Sequence, residues 1–218
     1  MFTGLIQRIG TLKAAVPIQG DLRMYIGWGG EVLAAVALGD SIAVSGCCLT
    51  AVEINAEGFW ADVSRETLDL TVLGDTRIGS RVNLELAMLA DTRLGGHMVS
   101  GHVDGIGRVV SIQSDARSAR LRFEMPAELA RYVARKGSIC IDGVSLTVNT
   151  VQGCHFEVNI VPHTLSHTTL SDYRPDRRVN LEVDLIARYL ERLVLGDRAA
   201  TGVDEETLRR YGFIDKAQ

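Results

Sequence analysis

The stretch Ser41-Ile42-Ala43-Val44-Ser45-Gly46-Cys47-Cys48-Leu49-Thr50 returns as Ser138-Ile139-Cys140-Ile141-Asp142-Gly143-Val144-Ser145-Leu146-Thr147. In both copies a short apolar run reaches Gly, then a small thiol or hydroxyl, then Leu-Thr. The offset of 97 positions holds far outside this motif. Met1-Phe2-Thr3-Gly4 answers to Met98-Val99-Ser100-Gly101, Ile9-Gly10 to Ile106-Gly107, and Phe59 to Phe156. Thr67-Leu68 answers to Thr164-Leu165 and Arg81-Val82-Asn83-Leu84-Glu85 to Arg178-Val179-Asn180-Leu181-Glu182, with no gap anywhere between. A repeat of this length is domain-sized and too long for a solenoid unit, so the chain reads as a duplicated domain.

A length of 218 residues allows one or two domains, and the repeat decides for two. The formal charge of −4 and the absence of a Lys/Arg run argue against a nucleic-acid binder. Cys47, Cys48, Cys140 and Cys154 form no CxxC pair and have no His at ligand spacing. Neither a zinc site nor a disulfide framework is indicated, and a reducing cytosol fits best. No basic region precedes a long apolar stretch at the N-terminus, and no segment approaches the roughly 20 apolar residues that span a bilayer. A soluble, unprocessed, cytoplasmic protein is expected.

Short apolar stretches broken by Gly4 and Gly10 predict a bent strand over residues 2–16, followed by a turn at Gly20-Asp21 and a strand over 22–26. Gly27-Trp28-Gly29-Gly30 reads as a loop, and residues 31–36 as the one short helix of this half. Strands are expected over 41–44, 48–54 and 59–63, with a tight turn at Gly46 and a hairpin loop at Asn55-Ala56-Glu57-Gly58. Residues 66–73 suit a helical turn. Over 81–88, Val82, Leu84 and Leu86 alternate with Arg81, Asn83 and Glu85, the pattern of a half-buried strand. A linker over 89–94 leads into the same order again, with a helix near Pro126 that places Leu129, Tyr132 and Val133 on one face. The fold class expected is therefore all-β dominated: two tandem antiparallel barrels. The domains run 1–94, 95–184 and 185–218, the last beginning with an amphipathic helix. Its apolar residues 186, 189, 190, 193 and 194 form a stripe stopped by Gly196, which either folds back on the barrels or meets its copies in other subunits. A short helix with an acidic start is expected over 204–210.

Cys48 and Thr50 project to one side of their strand, as do Ser145 and Thr147 of theirs, because residues two apart on a strand share a face. Short thiols and hydroxyls beside backbone amides suit the edge of a flat, polar heterocycle, and their recurrence indicates two sites for one kind of ligand. Gly95-Gly96-His97-Met98-Val99-Ser100-Gly101-His102 is the densest local signal, its glycines letting a ligand approach the backbone. The two histidines, five apart, do not suit a metal pair if the stretch is extended. His102 stands where the first half has Leu5, and Asp184 where it has Ala87, so these two are the asymmetric candidates for proton transfer. Cys47-Cys48 has no base fixed nearby by sequence and Ser145 in place of the second thiol, which disfavours a nucleophile or redox pair.

Met1-Phe2-Thr3-Gly4, Gly46-Cys47-Cys48-Leu49-Thr50, the stretch from Leu94 through Gly95-Gly96-His97 to Asp104-Gly105, and Ile141-Asp142-Gly143-Val144-Ser145-Leu146-Thr147-Val148, taken in order and on this repeat, resemble the riboflavin synthase family. The resemblance covers essentially the whole chain, down to the helix over 184–195. It implies a transferase that moves a four-carbon unit between two molecules of 6,7-dimethyl-8-ribityllumazine, giving riboflavin and 5-amino-6-(D-ribitylamino)uracil. It implies no metal or organic cofactor, two six-stranded Greek-key barrels per chain, a homotrimer gathered on the C-terminal helices, and an association with lumazine synthase. The active site would form between the N-terminal barrel of one subunit and the C-terminal barrel of the next.

Carried over residue by residue, the lumazine of the N-terminal barrel would meet Gly4, Leu5 and Ile6, then Cys48, Leu49 and Thr50, then Asp62, Val63, Ser64, Arg65, Glu66 and Thr67. The lumazine of the C-terminal barrel would meet Gly101, His102 and Val103, then Ser145, Leu146 and Thr147, then Asn159, Ile160, Val161, Pro162, His163 and Thr164, with Lys136 nearby. His102, Ser145, Thr147 and Cys48 are the polar groups expected to assist anion formation or water addition, and Asp184 to bind ribityl hydroxyls or adjust a partner's protonation. Ser45, Ala51 and Leu86 depart from the Asn, Val and Arg expected of the family, and Gly27-Trp28-Gly29-Gly30 is unusual; all lie outside the proposed pockets. The nearest rival is a non-catalytic, lumazine-binding paralogue of the kind found in luminous bacteria. Survival of both Leu-Thr motifs and His102 argues against it, and a flavin-binding barrel from a reductase would need an α/β nucleotide domain that is absent.

Overall fold

The computed structural model describes residues 1–30 and 36–196. The helix expected over 31–36 lies, Val36 apart, outside the described residues, and so does the one expected over 204–210. Twelve strands close into two six-stranded antiparallel barrels. The first holds β1 (Arg8–Ile18), β2 (Asp21–Gly27), β3 (Ser41–Val44), β4 (Cys47–Asn55), β5 (Gly58–Val63) and β6 (Arg81–Leu86), in the order β1-β2-β5-β4-β3-β6. The second holds β7 (Gly105–Asp115), β8 (Ser118–Glu124), β9 (Ser138–Ile141), β10 (Val144–Gln152), β11 (His155–Ile160) and β12 (Arg178–Val183), in the same Greek-key order. Short helices α1 (Arg65–Leu70) and α2 (Pro162–His167) follow β5 and β11, and each leads into a turn of 3₁₀ helix. The helix expected after Pro126 is also 3₁₀, over Ala127–Tyr132, with Leu129 and Val133 buried beneath it.

Each barrel has its own apolar core, supplied by alternate residues of its strands. Leu49 points into the first, which leaves Cys48 half-buried and Thr50 exposed on the outer wall, as the strand period requires. The unusual Gly27-Trp28-Gly29-Gly30 has a structural use. Trp28 is fully buried, its ring 4.9 Å from that of Phe59, and its Nε1–H donates to the Asn55 carbonyl.

The two barrels pack about an approximate two-fold axis, and the repeat makes that axis visible. Phe2 pairs with Val99, its own counterpart, in an isolated antiparallel bridge, and Gly46 abuts its counterpart Gly143 backbone to backbone. Around them polar side chains cross between barrels. Asn83 Nδ2 donates to the Asp142 carbonyl at 2.8 Å, and Asn180 Nδ2 to the Ser45 carbonyl at 2.8 Å. Each Asn Oδ1 in turn accepts a backbone N–H of the other barrel, from Thr169 and from Val72. Asp142, which replaces Ser45 in the second copy, is fully buried and accepts from the Tyr173 hydroxyl at 2.5 Å.

This interface corrects two expectations. The face of β6 carrying Asn83 and Glu85 is not the solvent side of a half-buried strand: Asn83 is 1% and Glu85 2% exposed, because the second barrel and the N-terminal segment cover them. The first strand does not begin at residue 2. It begins at Arg8, since the preceding residues leave their own barrel for the other, and its break in register falls between Leu12 and Ala14. The chain divides into two compact units, Met1–Leu185 with both barrels, and a second from Ile186 onward. Within the helix Leu185–Leu195 (α3), Tyr189, Leu190, Leu193 and Val194 are exposed. Among the described residues no helix is long and apolar enough to cross a membrane.

Candidate active site

Each barrel carries the start of the other half against its outer wall. The Cys48 N–H donates to the Gly101 carbonyl at 2.8 Å, and the Ser145 N–H donates to the Gly4 carbonyl at 2.8 Å. Val103 packs on the core of the first barrel and Ile6 on that of the second. A cleft of about 240 Å³ results beside the first barrel, where Cys48, Glu66 and Thr67 face Gly101, His102 and Val103. The expected grouping is therefore exchanged: Gly101, His102 and Val103 belong with Cys48, and Gly4, Leu5 and Ile6 with the Ser145 side. The cause is the crossover at the two-fold axis. Phe2 and Val99 pair there, and the chain beyond each runs onto the opposite barrel. Three roomier hollows, of about 500, 460 and 320 Å³, all border Arg178 and contain neither Cys48 nor Ser145, so size alone does not locate the site.

The residues carried over from the first half divide by surroundings. Glu66 and Thr67 line the cleft and Leu49 backs it from the core. Val63 is buried in the barrel, and Ser64 caps α1 by accepting the Thr67 N–H. Asp62 is clasped by Arg23, Nε to Oδ1 at 2.6 Å and Nη2 to Oδ2 at 3.0 Å, which holds its carboxyl below the usual range. Arg65 pairs with Asp69 one turn along. On the second barrel Ile160 is buried, and the Asn159 N–H donates to Asn149 Oδ1. Val161 and Pro162 open α2, on which His163 and Thr164 replace Glu66 and Thr67, and the His163 ring stacks on His167 with centroids 4.1 Å apart. Leu146 packs on the second core, Thr147 is exposed, and Lys136 occupies the turn before β9 with its N–H on the Val148 carbonyl.

One functional candidate escaped the reading of the sequence. His97 is 8% exposed, and its Nδ1 lies 2.7 Å from Ser145 Oγ, while its Nε2 is buried with no hydrogen-bond partner. The charge of Asp184 acts on this imidazole, whereas His102 lies on the Cys48 cleft. Glycine at position 96 permits the approach, since a Cβ there would fall 2.1 Å from the Thr3 carbonyl oxygen and 2.9 Å from Ser145 Cβ. The first pair that the repeat aligns is Met1 with Met98, one residue beyond His97, so comparing the halves does not reach it. Cys47 belongs to the core of the first barrel, where burial pushes its thiol up to about 12, and Cys48 is the more exposed of the two thiols that line the cleft.

Burial holds the His97 imidazole below the usual histidine range, the Asp184 charge acting the other way. The unfolded chain then takes up this proton at a higher pH than the folded one. Stability from the group is complete above about pH 6.5 and is lost as pH falls through the folded pKa. Urea midpoints are expected to drop on acidification from about pH 8 to about pH 5, and to drop less steeply in His97→Gln. Equal slopes in the two proteins would remove His97 as a source of acid sensitivity.

The lumazine binding domain family model matches residues 3–87 and again 100–184. The chain is 42% identical over 217 residues to the riboflavin synthase of Photobacterium phosphoreum, covering 98% of this chain and all of that one. It is 46% identical over 198 residues to that of Mycobacterium tuberculosis, covering 89% and 98%. The same fold occurs in LumP complexed with riboflavin, with a TM-score of 0.77, 26% identity and coverage of 84% of this chain and 99% of that one. LumP complexed with 6,7-dimethyl-8-(1'-D-ribityl)lumazine superposes with a TM-score of 0.75 at 23% identity. Two lumazine-binding repeats, each with a polar outer wall at its Leu-Thr motif, and near-complete alignment with these enzymes place the chain in the riboflavin synthase family.

Proposed function

We propose that the protein catalyses the dismutation of two 6,7-dimethyl-8-ribityllumazine molecules into riboflavin and 5-amino-6-(D-ribitylamino)uracil, one lumazine binding at each barrel. The observation that carries this reading is the pair of equivalent walls, Cys48 and Ser145, each met by a Gly carbonyl from the other half. The 7-methyl protons of the lumazine are already acidic, because the ring delocalises the resulting anion. What remains is to hold two rings face to face and help a proton move, and such orientation is worth about 7–11 kcal/mol. His102 on the Cys48 cleft and His97 bonded to Ser145 give the two walls different proton chemistry, which suits one donor and one acceptor of the four-carbon unit. Cys48, Thr147 and Asp184 complete the polar set.

The exposed side chains of α3 support assembly into a homotrimer, with the N-terminal barrel of one subunit facing the C-terminal barrel of the next and residues 185–218 as the assembly segment. Free thiols at all four cysteines support a reducing, cytoplasmic setting, where an association with lumazine synthase would hand on the substrate. The test is to mix purified protein with the lumazine under nitrogen, without added cofactor, and follow visible absorbance. Consumption of two lumazines per riboflavin is expected. Tight binding without conversion would instead identify a carrier, and no binding would overturn the reading of both walls.

A further inference from the structure

Two buried carboxylates lie beneath the crossing segments. Glu85 on β6 is 2% exposed and accepts three hydrogen bonds from the N-terminal segment: Thr3 N–H at 2.7 Å, Thr3 Oγ1 at 2.5 Å and Gly4 N–H at 2.9 Å. Glu182 on β12 is 4% exposed and accepts the same three from the other copy: Ser100 N–H at 2.6 Å, Ser100 Oγ at 2.7 Å and Gly101 N–H at 3.0 Å. Each hydroxyl then accepts a further N–H two residues on, from Leu5 and from His102. The far side of each Gly peptide belongs to the opposite barrel, since the Gly4 carbonyl meets Ser145 and the Gly101 carbonyl meets Cys48.

The direction of these bonds matters. Glu182 grows from the second barrel, yet everything it holds serves the first: Gly101, pressed on Cys48, and His102, at the cleft mouth. We propose that Glu85 and Glu182 are crossed positioning residues, each setting the substrate site of the barrel to which it does not belong. The inference rests on the functional reading above. A buried carboxylate needs its donors, and its donors need it, so neither can relax without the other. Because the two fixed N–H donors fall on different carboxylate oxygens, glutamine turns its N–H₂ group toward one of them and leaves that donor unsatisfied.

The crossing can be read through Cys48. In the wild-type protein, riboflavin is expected to slow iodoacetamide labelling of Cys48, followed by mass spectrometry of its peptide, and to bind at two sites per chain. Glu182→Gln should weaken the riboflavin protection of Cys48 at least tenfold and retain one binding site. Glu85→Gln should also retain one site but leave that protection unchanged. A merely structural role would lower thermal stability in both variants without this selectivity. Should the Gln variants fail to fold, Ser100→Ala and Thr3→Ala each remove one donor and are expected to show the same selectivity in milder form. Equal loss of Cys48 protection in both partners of a pair, or its retention in both, overturns the crossing while the functional reading stands. Failure of wild-type Cys48 to be protected at all overturns both.

Discussion

Gly143→Ala is expected to destabilise the folded protein by about 2–5 kcal/mol, the sum of a backbone and a packing cost. Gly143 has φ +83°, where a side chain strains the backbone, and a Cβ there would lie 2.9 Å from the Gly46 nitrogen. Backbone on the far side gives way only if the barrels separate, and separation would strain the Asn83 and Asn180 bonds that cross beside it. Gly153→Ala is the control. Its φ of +56° carries a backbone cost, but nothing lies within 4 Å of the added methyl. The difference between the two urea midpoints therefore reads the contact at the axis, and equal losses would show that the barrels accommodate the methyl freely.

Gly101→Ala is expected to lower riboflavin formation by about a hundredfold or more while the barrels stay folded, since misplacement of reacting groups by about 1 Å costs on this order. Its Cβ would fall 2.7 Å from Cys48 Cβ and 2.9 Å from the Phe2 ring. Either Cys48 or the Gly101 segment must shift, and His102 moves with the segment because its N–H is tied to Ser100 Oγ. The loss should appear in single-turnover conversion of the lumazine with near-native circular dichroism. Turnover within a few-fold of wild type would mean that the Gly101 seat does not set the cleft.

Much of this molecule was legible in its residues because the repeat constrains so much. The offset that equates Thr50 with Thr147 predicted two like barrels, and strand periodicity put Cys48 with Thr50 and Ser145 with Thr147 on one face of their strands, which the structure shows to be the outer one. The burial of Asn83 and Glu85 was hidden by the same periodicity, since alternation tells which residues share a face but not whether a second barrel covers it. Exchange of the N-terminal segments was hidden for a related reason. A repeat equates Gly4 with Gly101 but does not say on which copy either comes to rest. His97 escaped because pairing with Ser145 joins residues 48 positions apart, a tertiary contact with no local pattern.

Phe2 against Val99 and Gly46 against Gly143 are meetings of a residue with its own counterpart, which is what an isologous homodimer presents at its dyad. The chain thus has the plan of a symmetric dimer written as one polypeptide. In a true dimer every substitution would strike both sites at once. A single polypeptide removes that constraint: Leu5 stands opposite His102, Ala87 opposite Asp184 and Cys48 opposite Ser145, so either half can differ alone while its opening segment still rests on the other.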